Sequence, residues 1–196
     1  SDAPTALRER DPDNRLLARQ NRTRLPAEGV RDALFAVAGT LDRTLGGSLL
    51  STGDRDYVTN DQSNDRARYD APRRALYLPI VRNAMYDLFT SFDYADPSVH
   101  IEQRPQTAVA TQALLLLNDP QVAQQAKALA ARRPAGDDDA ICRWLWREAL
   151  CRQPSPRELA AARAWLVEVR TQADDGAAWA GLAQALFASN EFVYVD

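Results

Sequence analysis

The chain holds 196 residues, 45% hydrophobic and 26% charged, with 27 acids against 24 bases and a net charge of −3. That composition fits a globular fold and excludes disordered, collagen-like and low-complexity classes. Lys127 is the only lysine and the arginines are interspersed with acids, which argues against nucleic acid as the main partner.

The purely apolar runs, residues 113–117 among them, are all far short of the roughly 20 residues a membrane span needs. Residues 1–13 are polar and offer no apolar core of a signal peptide. Asp11 followed by Pro12 reads as the start of a short helix with Leu16 and Leu17 inside. Pro26 opens the next helix. Val30, Ala33, Leu34, Val37, Ala38 and Leu41 repeat there at helical spacing, and Gly46 and Gly47 are the predicted stop. Residues 48–73 are polar and irregular, with a short strand predicted at 48–51 pairing with another at 75–78. Val81, Ala84, Met85, Leu88, Phe89 and Phe92 resume the helical period.

A second long loop spans 93–106. Residues 107–117 are almost wholly apolar, and a helix apolar on all sides is expected at the centre of the core. Asp119 and Pro120 open the following helix, which 134–136 breaks. Asp137, Asp138 and Asp139 start a helix running to about Cys151. Ser155, Pro156 and Glu158 form a capping box with proline at the first helical position. Asp174, Asp175 and Gly176 read as the last turn. Trp179, Leu182, Ala183, Leu186 and Phe187 then make a final inward stripe, and 192–195 is apolar enough to dock on the body. The sum is an all-α, multi-helix globular domain over 1–196. It has about eight helices, the two loops 48–73 and 93–106, and at most a minimal two-stranded element.

Cys142 and Cys151 lie nine positions apart. On one helix they point about 180° apart at ~13 Å, beyond the ~7 Å Cα separation a disulfide tolerates. With His100 as the only histidine, this set makes neither a zinc site nor a c-type haem attachment, so no cofactor is expected in this chain.

Several blocks carry a family likeness. Residues 11–41 resemble the opening of the DUF1553 domain, also called PSD1. Arg73, Arg74, Tyr77 and Pro79, with Arg82 and Asn83, resemble its RRSxYxP…RN block, with Ala75 where the family usually has serine. Phe92, Asp93, Asp96 and Pro97 look like its FDxxDP. Arg104, Thr107, Gln112, Ala113, Leu114, Leu117 and Asn118 look like its R…T…QAL..LN. Arg152, Pro154, Ser155 and Glu158 resemble its RxPsxxE, and 189–196 its SNEFxYVD. The family is known from large exported proteins of Planctomycetes and related bacteria. There it usually follows a DUF1549 domain, often with a cytochrome c-type domain and sometimes a lectin-like module. The resemblance therefore implies an exported or cell-surface piece of a larger chain. It implies no reaction.

Each candidate site residue has two readings. His100, near Asp93, Asp96, Glu102 and Arg104, is a general base if a carboxylate orients it, and otherwise a surface loop histidine. Asp54 and Asp56 offer oxygens for Ca²⁺, but the EF-hand register fails and a solvated loop is the plainer reading. Arg73, Arg74, Arg82 and Arg104 form either an anion site or salt bridges to Asp70, Asp93 and Asp96 that tie the loops down. Gln112, on an apolar helix, is expected to pin loop backbone, with a binding role as its other reading. The tryptophans Trp144, Trp146, Trp165 and Trp179 read as core rather than as a sugar-stacking platform.

The leading expectation is an interaction or scaffold module that docks on an upstream DUF1549 domain and a cytochrome c-type domain. The alternative is a ligand-binding or catalytic domain acting on carbohydrate. Its pocket would lie between loops 48–73 and 93–106, with Arg82, Asp93, His100 and Arg104 inside. A pocket lined from both loops favours the second, and an uncovered apolar face favours the first.

Overall fold

The computed structural model describes residues 4–47, 49, 69–80 and 85–195. Among them are nine α-helices and one two-stranded ribbon, so the fold is all-α. The helices are α1 (Thr5–Arg10), α2 (Ala27–Ala38), α3 (Asp87–Ser91), α4 (Ala110–Asn118), α5 (Pro120–Ala131), α6 (Asp138–Leu150), α7 (Pro156–Val169), α8 (Asp175–Phe187) and α9 (Asn190–Val193). The ribbon pairs β1 (Thr23–Arg24) antiparallel with β2 (Tyr194–Val195) and joins the segment before α2 to the segment after α9.

The central helix is α8. It buries Ala178, Trp179, Leu182, Ala183, Leu186 and Phe187, and packs along α5 on Val122, Ala126, Leu129 and Ala130. Trp179 is fully buried, Trp146 is buried, and Trp144 and Trp165 pack at the core's edge. The most apolar stretch of sequence does not hold that place. In α4 only Gln112 and Leu116 are buried, while Leu114 and Leu117 are 56% and 49% exposed. Absence of polar residues marks a helix as apolar all round, but not which of two such helices the rest of the chain encloses.

Local chemistry sets several boundaries. The side chains of Asp119, Asp137, Ser155 and Asp174 each accept a backbone N–H at the start of α5, α6, α7 and α8. Such caps are each worth about 1 kcal/mol. Asp174 is thus a cap, and Asp175 and Gly176 lie inside α8 rather than in a turn. Gly39, at φ 77°, ends α2 well before Gly46 and Gly47, because its left-handed backbone lets its N–H return to Ala36 and Phe35 carbonyls.

Three other expectations change. No helix follows Pro12: residues 11–22 form a hydrogen-bonded turn loop, and Leu16 and Leu17 face solvent. Residues 75–78 form a 3₁₀ turn (Ala75–Tyr77), not a strand. The bridge on this side joins Asp42 to Arg73. The described part of the helix expected over 81–92 forms only the short α3, and both 81–84 and most of the strand expected at 48–51 lie outside the described residues.

Candidate functional site

The two loop ends converge on α2 and on the segment before it. Arg24 is 5% exposed, and its side chain crosses to the second loop. It donates to the Thr107 carbonyl at 2.7 Å, to the Phe92 carbonyl at 3.3 Å and to the Asp93 carboxylate at 2.8 Å. Asp93 sits in the left-handed region at φ 58°, which turns its carboxylate back over the loop. There it also accepts the Thr107 N–H at 2.8 Å and the Thr107 hydroxyl at 2.9 Å. Burial raises the Asp93 carboxyl, but the Thr107 and Arg24 bonds outweigh it and hold the group below the usual carboxylate range. Gln112 completes the cluster by donating to the Ser91 and Thr107 carbonyls, each at 3.0 Å.

The first loop end is held by a second buried arginine. Arg31 is fully buried and lies over the Phe35 ring at 4.3 Å. It donates to the Arg73, Ala71 and Tyr69 carbonyls. Tyr69 stacks on Tyr86, whose hydroxyl donates to Gln121 at 2.6 Å and whose phenol burial pushes up.

The loop arginines anticipated as a cluster divide along α2. Arg104 pairs with Glu28 at 2.8 Å and lies over Tyr94 at 4.7 Å. Arg74 approaches Asp32, one turn further on, at 3.9 Å. Arg73 reaches Asp42 at 3.7 Å and donates to the Thr44 and Gly46 carbonyls. Their carboxylate partners are therefore Glu28, Asp32 and Asp42, while Asp93 belongs to Arg24 and Asp70 accepts from Gln121. Asp96 is exposed and accepts the Ser98 N–H within its own turn. His100 is an exposed loop residue. Arg82, Asp54 and Asp56 lie outside the described residues.

Arg24 and Arg31 are the residues sequence reading missed. For Arg31 the signal was present. It falls in helical register with Ala27, Leu34, Phe35 and Ala38, on the buried face of α2.

Beside the Arg24 cluster lies a cleft of about 300 Å³. Its floor is Phe92, Leu116 and Val193, its walls are mostly alanine, and Gln112, Asn190 and Tyr194 supply polar groups. Among the described residues its lining includes none of 69–73, and most of loop 48–73 lies outside the described residues. The helix α4 above the cleft carries exposed apolar side chains, Ala110, Leu114 and Leu117, with half-buried Ala113 between them and Val109 at 47% exposure beside them. Among the described residues no three His, Cys, Asp or Glu side chains converge as a metal site. Nor is any described helix long and apolar enough to cross a membrane.

No curated protein and no solved structure matches the chain. The region matched by a family model ends inside α7, although α8 supplies the centre of the core. That model, PSD1, covers residues 1–166 under the description "Protein of unknown function (DUF1553)", and the chain belongs to this family.

Proposed function

We propose that the chain is a non-catalytic docking module of an exported multidomain protein, seated against a DUF1549-type domain and, through it, a cytochrome c-type domain. The observation that carries this reading is the uncovered apolar stripe of α4. Leu114 and Leu117 lie one turn apart on one face and are each about half exposed. Contiguous apolar surface of this kind marks interaction sites in soluble proteins. The candidate chemical groups support the same reading, because their bonding capacity is spent on packing. The Asp93 carboxylate is shared by Arg24 and Thr107, and Gln112 is committed to two carbonyls.

Titration of a separately produced DUF1549-type domain into this chain, followed by calorimetry, tests the proposal. Saturable binding that Leu114→Ser with Leu117→Ser weakens by at least about tenfold, roughly 1.4 kcal/mol, is expected. Absence of binding by the unaltered chain overturns it. A second reading, a small sugar in the 300 Å³ cleft, rests on the polar residues Asn190 and Tyr194 in its lining. A panel of mono- and disaccharides in the same calorimeter tests it.

A further inference from the structure

A loop at the N-terminal end of the described chain inverts the usual arrangement of polar and apolar side chains. In residues 11–22 the buried side chains are Asp11 and Asn14, at 7% and 4% exposure. The leucines Leu16 and Leu17 are 77% and 82% exposed. The polar groups form an internal frame. The Asp11 carboxylate accepts the N–H groups of Arg15 at 2.9 Å and Leu16 at 2.8 Å. The Asn14 amide accepts from the Arg19 N–H at 3.2 Å and donates to the Arg19 carbonyl at 2.5 Å and to Asn21 at 3.1 Å. The Arg19 guanidinium closes the frame by donating to the Asp11 and Pro12 carbonyls. Asn14 and Leu17 both adopt φ 53°. Asparagine tolerates that region, whereas for leucine it is a strained conformation that the surrounding bonds must impose. The chain thus commits two buried polar residues and one strained backbone position to fixing two leucines in water.

We infer that residues 11–22 are a preformed docking element whose Leu16 and Leu17 fill an apolar socket with an acidic rim on a neighbouring folded protein domain. This rests on the docking reading above and names a second contact for it. A rigid loop presents its anchors without the ordering cost a flexible one incurs on binding. Charge supplies the rim: residues 5–22 hold five arginines against three acids, within a chain whose net charge is −3. A lipid surface fits less well. Two leucines offer fewer apolar carbons than the single acyl chain that already holds proteins only marginally, and Glu9 and Asp13 dilute the basic character.

The test titrates the same DUF1549-type domain into three forms of this chain. Leu16→Ser with Leu17→Ser is expected to weaken binding by about 30-fold or more while leaving thermal unfolding unchanged. Asn14→Ala keeps both leucines but loosens the frame, and is expected to weaken binding by about tenfold. Binding that responds to the α4 variants but not to the Leu16 and Leu17 pair sinks this inference and leaves the docking reading standing. If no form binds, both fall. Two further results also overturn the assigned partner. One is a concentration-dependent dimer that disappears in the Leu16 and Leu17 variant. The other is sedimentation of the unaltered chain with phosphatidylglycerol vesicles.

Discussion

Arg24 and Asp93, 69 residues apart in the chain, meet at 2.8 Å with their side chains only 4% and 13% exposed. The pair fastens the second loop to the segment entering α2, one residue before the ribbon closes on Val193. Removing either partner strands a charge away from water, which costs about 3–5 kcal/mol. At this chain length that corresponds to a fall in Tm on the order of 10 °C. Arg24→Ala and Asp93→Ala are therefore expected to melt far below the unaltered protein. Arg104→Ala breaks a pair whose side chains are 41% and 29% exposed, and such pairs contribute about 1 kcal/mol or less. His100→Ala is expected to leave Tm in place. Thermal unfolding of the four variants decides whether the buried pair is structural.

Acid should undo the same contacts. The Asp93 carboxyl is held below its ordinary value because the Thr107 and Arg24 bonds outweigh burial. Glu158 is held down by Arg152 first and by the Ser155 bonds, and Asp138 by Arg170. A carboxyl with a depressed folded pKa binds its proton less readily folded than unfolded. Its stabilisation is complete above the unfolded value near 4 and is lost as pH falls through the folded value. Stability in urea is expected to be level from about pH 7 to 5 and to drop below about pH 4. Asp93→Asn is expected to lower the plateau and make the acid limb shallower. An acid limb as steep in that variant as in the unaltered chain would falsify the role of Asp93.

Local signals were legible in the sequence wherever the cause was itself local. Asp119, Asp137 and Ser155 act within three residues of themselves, so the starts of α5, α6 and α7 followed from residue type. The inward stripe of α8 followed from its period. What failed was comparison between segments. Residues 107–117 are as apolar as a central helix, but α8 occupies the centre because α5, α6, α7 and α9 all pack on it. The site failed for a related reason. Arg24 looks like one arginine among many, and only the turn at Asp93 gives it a partner 69 residues away. Gly39 shows the limit of local rules, since two glycines further on made an equally good stop.

The cysteines make a third test. Cys142 is fully buried in α6, and burial, followed by the Asp138 and Asp139 charges, pushes its thiol up to about 11. Cys151 caps the same helix at φ 55° and is exposed. Both are free. A thiol reagent at pH 8 is expected to modify one group per chain quickly in the native state and a second only after denaturation. Two fast groups would mean that α6 opens readily, and none after denaturation would mean a bond between the two.

Arg31 sets up the sharpest contest between opposing terms. Its guanidinium is buried, its closest carboxylate contact among the described residues is with Asp32 at 3.6 Å, and burial pulls its pKa down. Replacing a buried charge by an apolar side chain of similar length is often neutral or stabilising. Here the charge holds three carbonyls, those of Tyr69, Ala71 and Arg73, and so fixes the segment whose Pro72 carbonyl accepts the Asp42 N–H at 2.8 Å. Each buried acceptor left without a donor costs about 1–3 kcal/mol, so the carbonyls outweigh the gain from removing the charge. Arg31→Met is therefore expected to lose about 3 kcal/mol. Arg31→Lys should lose less, because its ammonium keeps a charge and some donors but cannot reproduce the planar fork. Hydrogen exchange separates the causes. Loss of protection at the Asp42 and Ala75 N–H groups is expected in both variants, because Pro72 and Asp32 accept their bonds on either side of the pinned carbonyls. Arg31→Met melting at or above the unaltered protein, with those amides still protected, would show that the burial of charge dominates and that the loop is held by other contacts.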